Sequence, residues 1–287
     1  MKKRTFLGLL LAAPFAARAV QQVPNDYRVN GVVDLTAALA AGPVEALDET
    51  YEIGPTLVSP YDVIRGVPGR TRFLYEGDGP AFQPRDVTRP TDRVTLEGFD
   101  LICERKAGAG QHAFWMPSCR HWKLADITIA DFGGNGVAVV GKRTSDGVLA
   151  PSDATKHQLS NLRVLRAGGD GYLFTGTVAT ERQRGGTANM STLLSCVASE
   201  CGGDGFNIWQ GAANSLVKCI AGLCGGNGFA CAWWGNDFSG CIAEQNEMNG
   251  IWFHPTAAEC KNNTVVGYHD GGGHVQQIAN VGRNTVL

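Results

Sequence analysis

The chain has 287 residues, of which 44% are hydrophobic, 18% are charged and 38 are glycine. That is enough apolar surface for a large core, which excludes a disordered tail, and the glycine-rich, charge-poor composition favours short strands and tight turns over a helical bundle. The formal charge is −2, with no basic run beyond Lys2, Lys3 and Arg4, so the electrostatic footprint that holds a phosphate backbone is missing and nucleic acid is excluded as a partner.

Residues 1–19 combine that basic start with an apolar stretch from Phe6 to Ala17 and small residues, Ala17 and Ala19, around Arg18. This is the grammar of an export signal and is too short for an ordinary membrane span. Lys3-Arg4-Thr5-Phe6-Leu7 is similar to the twin-arginine export motif, with lysine in place of the first arginine. The expected location is therefore periplasmic or extracellular. The alternative is an apolar amino-terminal helix anchoring the chain in a larger assembly such as a virion tail. Loss of residues 1–19 would take the formal charge from −2 to −6, because Lys2, Lys3, Arg4 and Arg18 leave with them.

Residues 20–95 read as an amino-terminal cap and leading coils. Asp34 to Ala41 is a short capped helix, with Asp34 accepting the first free amides. Short strands follow at Val44–Leu47, Tyr51–Ile53, Leu57–Val58, Val63–Gly66 and Arg70–Leu74. This order of helix, strand, Tyr-x-Ile strand and Ile-x-Gly turn resembles the opening module of the pectate-lyase superfamily of right-handed β-helices. That superfamily includes polysaccharide lyases, epimerases and bacteriophage tailspikes. The resemblance covers about residues 34–275; Asp48-Glu49-Thr50 stand where the family usually has proline-glycine. It implies a right-handed coil and a polysaccharide partner.

Residues 96–287 hold an internal repeat. A glycine turn recurs as Gly133-Gly134-Asn135-Gly136, Gly168-Gly169-Asp170-Gly171, Gly202-Gly203-Asp204-Gly205, Gly225-Gly226-Asn227-Gly228 and, degenerate, Met248-Asn249-Gly250. The last glycines are 35, 34, 23 and 22 residues apart, so the unit is about 22 residues and two copies carry inserted loops, at 142–156 and 177–189. Apolar residues lie 12, 9 and 7 positions before each glycine, as in Leu193, Cys196, Ala198 or Leu216, Cys219, Ala221. Further copies are assigned to Leu96, Phe99, Leu101 and to Cys260, Asn263, Val265. Positions one and three after the glycine are again apolar, which is strand alternation. Two such strands cannot enclose a core alone, but coaxial stacking sets equivalent side chains in ladders about 4.8 Å apart. The fold class is all-β, a right-handed parallel β-helix of about 22-residue coils with a short N-terminal capping helix. Asn135, Asp170, Asp204, Asn227 and Asn249 are expected to take the left-handed backbone conformation at a bend. A calcium-binding glycine repeat would need a nine-residue period, which is absent; no metal and no cofactor is expected.

Nine cysteines follow the repeat: Cys196, Cys219 and Cys241 share one ladder and Cys201 and Cys224 another. They read as reduced core packing, with disulfides or a metal as the alternatives. Outward positions two and four after the glycines include Trp115, Val140, Leu173, Trp209, Ala230, Ala232 and Trp252. This apolar stripe needs a cover: symmetry mates in a homotrimer, the inserted loops, or a stacked sugar. Trp209, Trp233, Trp234, Trp252 and His254 are the candidate substrate-binding residues.

Asp131, Arg166 and Glu200 sit five positions before three successive turn glycines. Their register separates the two acids by two rungs, about 9.6 Å, which suits an acid and a base flanking a sugar bond. The plainer reading is a solvated ion-pair ladder. Glu244 with Glu247 on a later rung, Glu181, Arg182 and Arg184 in the second loop, and His254 are further candidates. Two classes of function follow. One is an extracellular polysaccharide-recognising β-helix, with or without cleavage of the glycan by acid-base chemistry; the other is a non-catalytic trimeric appendage of a virus tail or spike.

Overall fold

The computed structural model describes residues 21–22, 27–87, 91–141, 153–176, 187–255, 260–273 and 275–287. Residues 1–19, read from the sequence as an export signal, and the core of both inserted loops lie outside them, as do Glu181, Arg182 and Arg184. Two sheets of eleven strands and one of nine run the length of a solenoid. Pairs between successive coils are parallel, and an antiparallel hairpin of Arg28–Val29 on Val32–Val33 stands at the amino-terminal end.

Each coil contributes three strands rather than the two legible in the repeat. In the first sheet, Leu96, Leu124, Leu159, Leu193, Leu216 and Phe238 are register partners. Leu101, Ile129, Val164, Ala198, Ala221 and Ala243 form the equivalent column of the second, and Phe114, Val137, Tyr172, Phe206, Phe229 and Ile251 that of the third. These columns point inward and are buried. Rings in the third column stack, with Tyr172 and Phe206 at 4.5 Å and Phe206 and Phe229 at 5.0 Å between centroids.

The extra strand boundary arises at residues of positive φ: Asp126 (54°), Asn161 (53°), Ser195 (53°) and Lys218 (53°) turn the chain from the first sheet to the second. A second set, Asp131 (67°), Arg166 (55°), Glu200 (56°), Leu223 (57°) and Gln245 (51°), turns it towards the third. Asn135, Asp170, Asp204, Asn227 and Asn249 are not among the residues of positive φ, which corrects the expectation of a left-handed bend there. Their side chains are used differently, as described below. The glycines that follow them are required for space. A Cβ on Gly171 would lie 2.6 Å from the Ala198 Cβ and 2.7 Å from the Gly205 carbonyl, and one on Gly205 would meet Ala221 and Gly228 in the same way.

The carboxyl-terminal copy is also re-registered. Val265 pairs with Phe238, so it belongs to the first-sheet column rather than the second. Five residues of shift put Asn263 beneath Asn236, where its Oδ1 accepts the Asn236 N–H at 2.7 Å. That bond is one step of a buried ladder: Ser191 N–H donates to Asn214 Oδ1, Asn214 N–H to Asn236 Oδ1, and Asn263 N–H to Asn284 Oδ1, at 2.9–3.0 Å. Corner amides that no sheet can satisfy are thereby paired inside the core.

At the other end, the helix Leu35–Ala41 covers the stack with Leu35, Ala38 and Leu39. Asp34 caps it by accepting the Ala37 N–H at 3.0 Å. All nine cysteines are free and buried.

Candidate functional site

Asp131, Arg166 and Glu200 share one corner in three consecutive coils, as their spacing requires. Arg166 donates to both carboxylate oxygens of Asp131, at 2.7 and 2.8 Å, and both side chains are partly exposed. The guanidinium, aided by Lys106, holds the Asp131 carboxyl below its usual range. Asp131 is therefore an ionised partner in an ion pair. Glu244 lies one position before this corner, in the Ser199–Gly222–Glu244 column of the second sheet. It is exposed and two coils beyond Glu200.

The residues before the turn glycines form a second polar ladder on the edge of the third sheet. Asn135 N–H donates to His112 Nδ1, Asp170 N–H to Asn135 Oδ1, Asp204 N–H to Asp170 Oδ1 and Asn227 N–H to Asp204 Oδ1. Most rungs need only a neutral acceptor, yet two adjacent rungs carry carboxylates. Burial first, then the neighbouring Asp204 charge, pushes Asp170 up to about 6, and burial also raises Asp204. Asn207 Nδ2 donates to Asp170 Oδ2 at 3.1 Å, while Asn207 Oδ1 is buried with no hydrogen-bond partner. The repeat pattern marks these two positions only as bend residues; the signal that sets them apart is aspartate where the neighbouring copies have asparagine.

A carboxyl raised in the fold stabilises it below the unfolded-state value, and that contribution is lost as pH rises through about 6. At pH 8, Asp170→Asn is thus expected to raise stability by about 1–3 kcal/mol. The new amide keeps the acceptor for Asp204 N–H, and a flipped Asn207 amide offers its orphaned Oδ1 to the new donor. Urea midpoints of the two proteins at pH 8 and pH 3.5 check this: the gain is expected at pH 8 and is nearly absent at pH 3.5, below the unfolded-state value.

Outward from the third sheet, Trp115, Ala138, Leu173, Asn207, Ala230 and Trp252 are register partners. Ala138 is 1% and Ala230 2% exposed, because larger side chains on either side shade them. The apolar stripe is thus partly covered within one chain. Where it ends, rings gather. His254 lies between Trp209 and Trp252, edge-on to each, with centroids 5.2 and 5.0 Å away. Ala232, 5% exposed, fills the rung between Trp209 and His254 and is small enough to let their rings meet across it. Trp209 remains 40% exposed. Among the described residues no ring contact includes Trp233 or Trp234. These lie at the next corner, where their carbonyls accept from Asn263 and Asn236 of the ladder, and Trp234 is 43% exposed.

The face thus has a half-buried carboxyl pair at one edge and an aromatic cluster at the other, joined by the strand Phe206–Ile208 with Asn207 turned outward. Among the described residues, no group of three or more His, Cys, Asp or Glu side chains is placed to hold a metal ion.

No curated protein matches the chain. Solved structures do. The A-module of a mannuronan C-5 epimerase of Azotobacter vinelandii superposes with TM-score 0.59 at 12% identity, covering 88% of this chain and 79% of that one. Gene product 12 of bacteriophage phi29 gives 0.64 at 17% identity over 85% of this chain and 36% of its own. A glycan biofilm modifying enzyme of Pantoea stewartii with a bacteriophage tailspike-like parallel beta-helix fold gives 0.58 at 13% identity, over 88% and 37%. The chain spans little more than a third of the latter two proteins. At these identities the likeness is one of fold. Residues 112–286 match the family described as the right handed beta helix region, and the chain belongs to that family.

Proposed function

We propose that the chain is an exported protein that recognises an extracellular polysaccharide along the outer face of the third sheet. The observation that carries the reading is the Trp209–His254–Trp252 cluster, a partly exposed aromatic surface on a rigid sheet. Aromatic faces suit the apolar faces of sugar rings, and the partly buried Asp204 carboxylate on the other edge supplies an acceptor for their hydroxyls. Relatives in fold that act on mannuronan or modify a glycan biofilm are consistent with this.

Binding to a panel of bacterial surface and pectin-type polysaccharides tests it. Truncating Trp209 and Trp252 to alanine is expected to weaken retention of the recognised glycan at least about tenfold; Trp209→Ala alone, at an exposed position, is expected to leave the unfolding midpoint little changed. Undiminished binding in the double variant would sink the assignment of this face. If no panel member binds and light scattering gives a trimer, the stripe is an interface of a structural appendage instead.

Glycan cleavage is a second reading, favoured by the Asp170 carboxyl, which is half protonated near pH 6 and able to act as a general acid beside Asp204. Asp131, Arg166, Glu200 and Glu244 remain the alternative set. Reducing ends and the absorbance of unsaturated sugars, measured for Asp170→Asn and Glu200→Gln, separate the two.

A further inference from the structure

We propose that Cys231 and Cys260 are a disulfide-forming pair, a covalent modification site whose co-reactant is a small-molecule disulfide. The inference stands whether or not the chain binds a glycan.

The nine thiols are not equivalent. Cys196, Cys219 and Cys241 occupy the same position in successive coils, as do Cys201 and Cys224. Translation along the stack therefore keeps their Cβ atoms about 4.8 Å apart with parallel vectors, against about 3.8 Å in a relaxed disulfide. Cys231 and Cys260 are not translation mates. Cys231 ends a third-sheet strand and its register partner is Phe253. Cys260 lies on the next coil, just before the strand Lys261–Val266. The two approach from different sides of one corner. The Cys260 thiol donates to the Cys231 carbonyl at 3.1 Å, which brings its sulfur onto the residue that carries the other thiol. Amides from the asparagine ladder surround the sulfurs: Asn236 Nδ2 is 3.6 Å from Cys231 Sγ, and Asn263 and Asn284 each reach Cys260 Sγ at 3.9 Å.

The pair also has an order of attack. Cys260 is 8% exposed and Cys231 1%. Hydrogen bonding from Cys231, then from Asn284 and the His254 backbone, lowers the Cys260 thiol to about 7, whereas burial raises that of Cys231. The Cys260 thiolate attacks one sulfur of the small-molecule disulfide, forming a mixed disulfide and releasing one thiol. Cys231 then gives up its proton and attacks Cys260 Sγ, releasing the second thiol. Two protein thiols are oxidised and one disulfide is reduced to two thiols. The new bond closes a loop that carries Trp233, Trp234, Trp252 and His254.

The test uses the full chain in its native state with oxidised glutathione, followed by alkylation and peptide mapping by mass. The expected product lacks two hydrogens and joins the Cys231 and Cys260 peptides, and its thermal midpoint rises by roughly 5–10 °C. With Cys231→Ser, the expected product is a glutathione adduct held at Cys260, because no second thiol can displace it. The mapping of the unaltered chain decides the matter even if that variant folds poorly. Both cysteines still alkylatable after oxidation, or a bond found within the Cys196–Cys219–Cys241 column instead, would overturn the proposal. Glycan retention is not read in this experiment, so its outcome is independent of the binding assignment.

Discussion

Asn236→Ala is expected to destabilise the protein by about 3–5 kcal/mol, more than any loss expected at an exposed position. The side chain is 1% exposed and has partners on both sides. Its Oδ1 accepts the Asn214 N–H at 3.0 Å and the Asn214 side-chain amide at 3.1 Å, while its Nδ2 donates to the Gly211 carbonyl at 2.9 Å. Alanine leaves the Asn214 N–H and the Gly211 carbonyl buried without partners, each costing about 1–3 kcal/mol, and opens a small cavity. Asn284→Ala, at the less buried end of the ladder, serves as the comparison and should cost about 1 kcal/mol. Urea unfolding of the two variants measures the difference. Equal, small losses would mean that the ladder decorates the corner without supporting it.

That ladder is written in the sequence. Asn214-Ser215-Leu216, Asn236-Asp237-Phe238, Asn263-Thr264-Val265 and Asn284-Thr285-Val286 place asparagine two residues before the apolar residue of the shared column in the last four first-sheet strands. Aligning on Cys260, Asn263 and Val265 hid it by shifting the last copy. The solenoid itself was legible because its columns demand apolar residues at fixed spacing, and the turn glycines because a Cβ there would collide with the second sheet. The bend between the first and second sheets was not legible. It falls on Asp126, Asn161, Ser195 and Lys218, whose side chains share no chemistry; only their positive φ is common. Much the same holds for Asp131, Arg166 and Glu200, which the register aligned correctly. Their common property is the backbone corner they occupy, and the tight Arg166 to Asp131 pairing is a consequence of stacking. For the aromatic face, the outward positions of Trp209 and Trp252 followed from strand alternation. Their meeting through His254 depended on Ala232, a residue whose smallness could be weighed only once the coils were stacked.

The acid limb of the stability curve should be dominated by His157. In the first polar ladder this histidine stands one coil before Ser191 and two before Asn214, and it is 1% exposed. Its Nδ1 accepts the Trp122 N–H at 3.3 Å, and its Nε2 is buried without a hydrogen-bond partner. Burial, with a smaller contribution from nearby His121, lowers its pKa to about 3 from the ordinary 6.5. The folded protein therefore binds this proton less readily than the unfolded chain. The neutral imidazole's stabilising contribution is complete above pH 6.5 and is lost progressively as pH falls towards 3. Over that window the loss approaches about 5 kcal/mol. Asparagine, which later rungs already use, can accept the same Trp122 N–H and cannot be charged. His157→Asn is accordingly expected to cost about 1–2 kcal/mol at pH 8, from the smaller side chain, and to be the more stable protein at pH 4. Carboxylates held low by ion pairs, such as Asp131 and Glu97, destabilise both proteins alike in acid and cancel in the difference. Urea midpoints at intervals from pH 8 to pH 4 give that difference directly. Parallel curves, with no crossing between pH 6.5 and pH 4, would show that His157 is not the group that titrates.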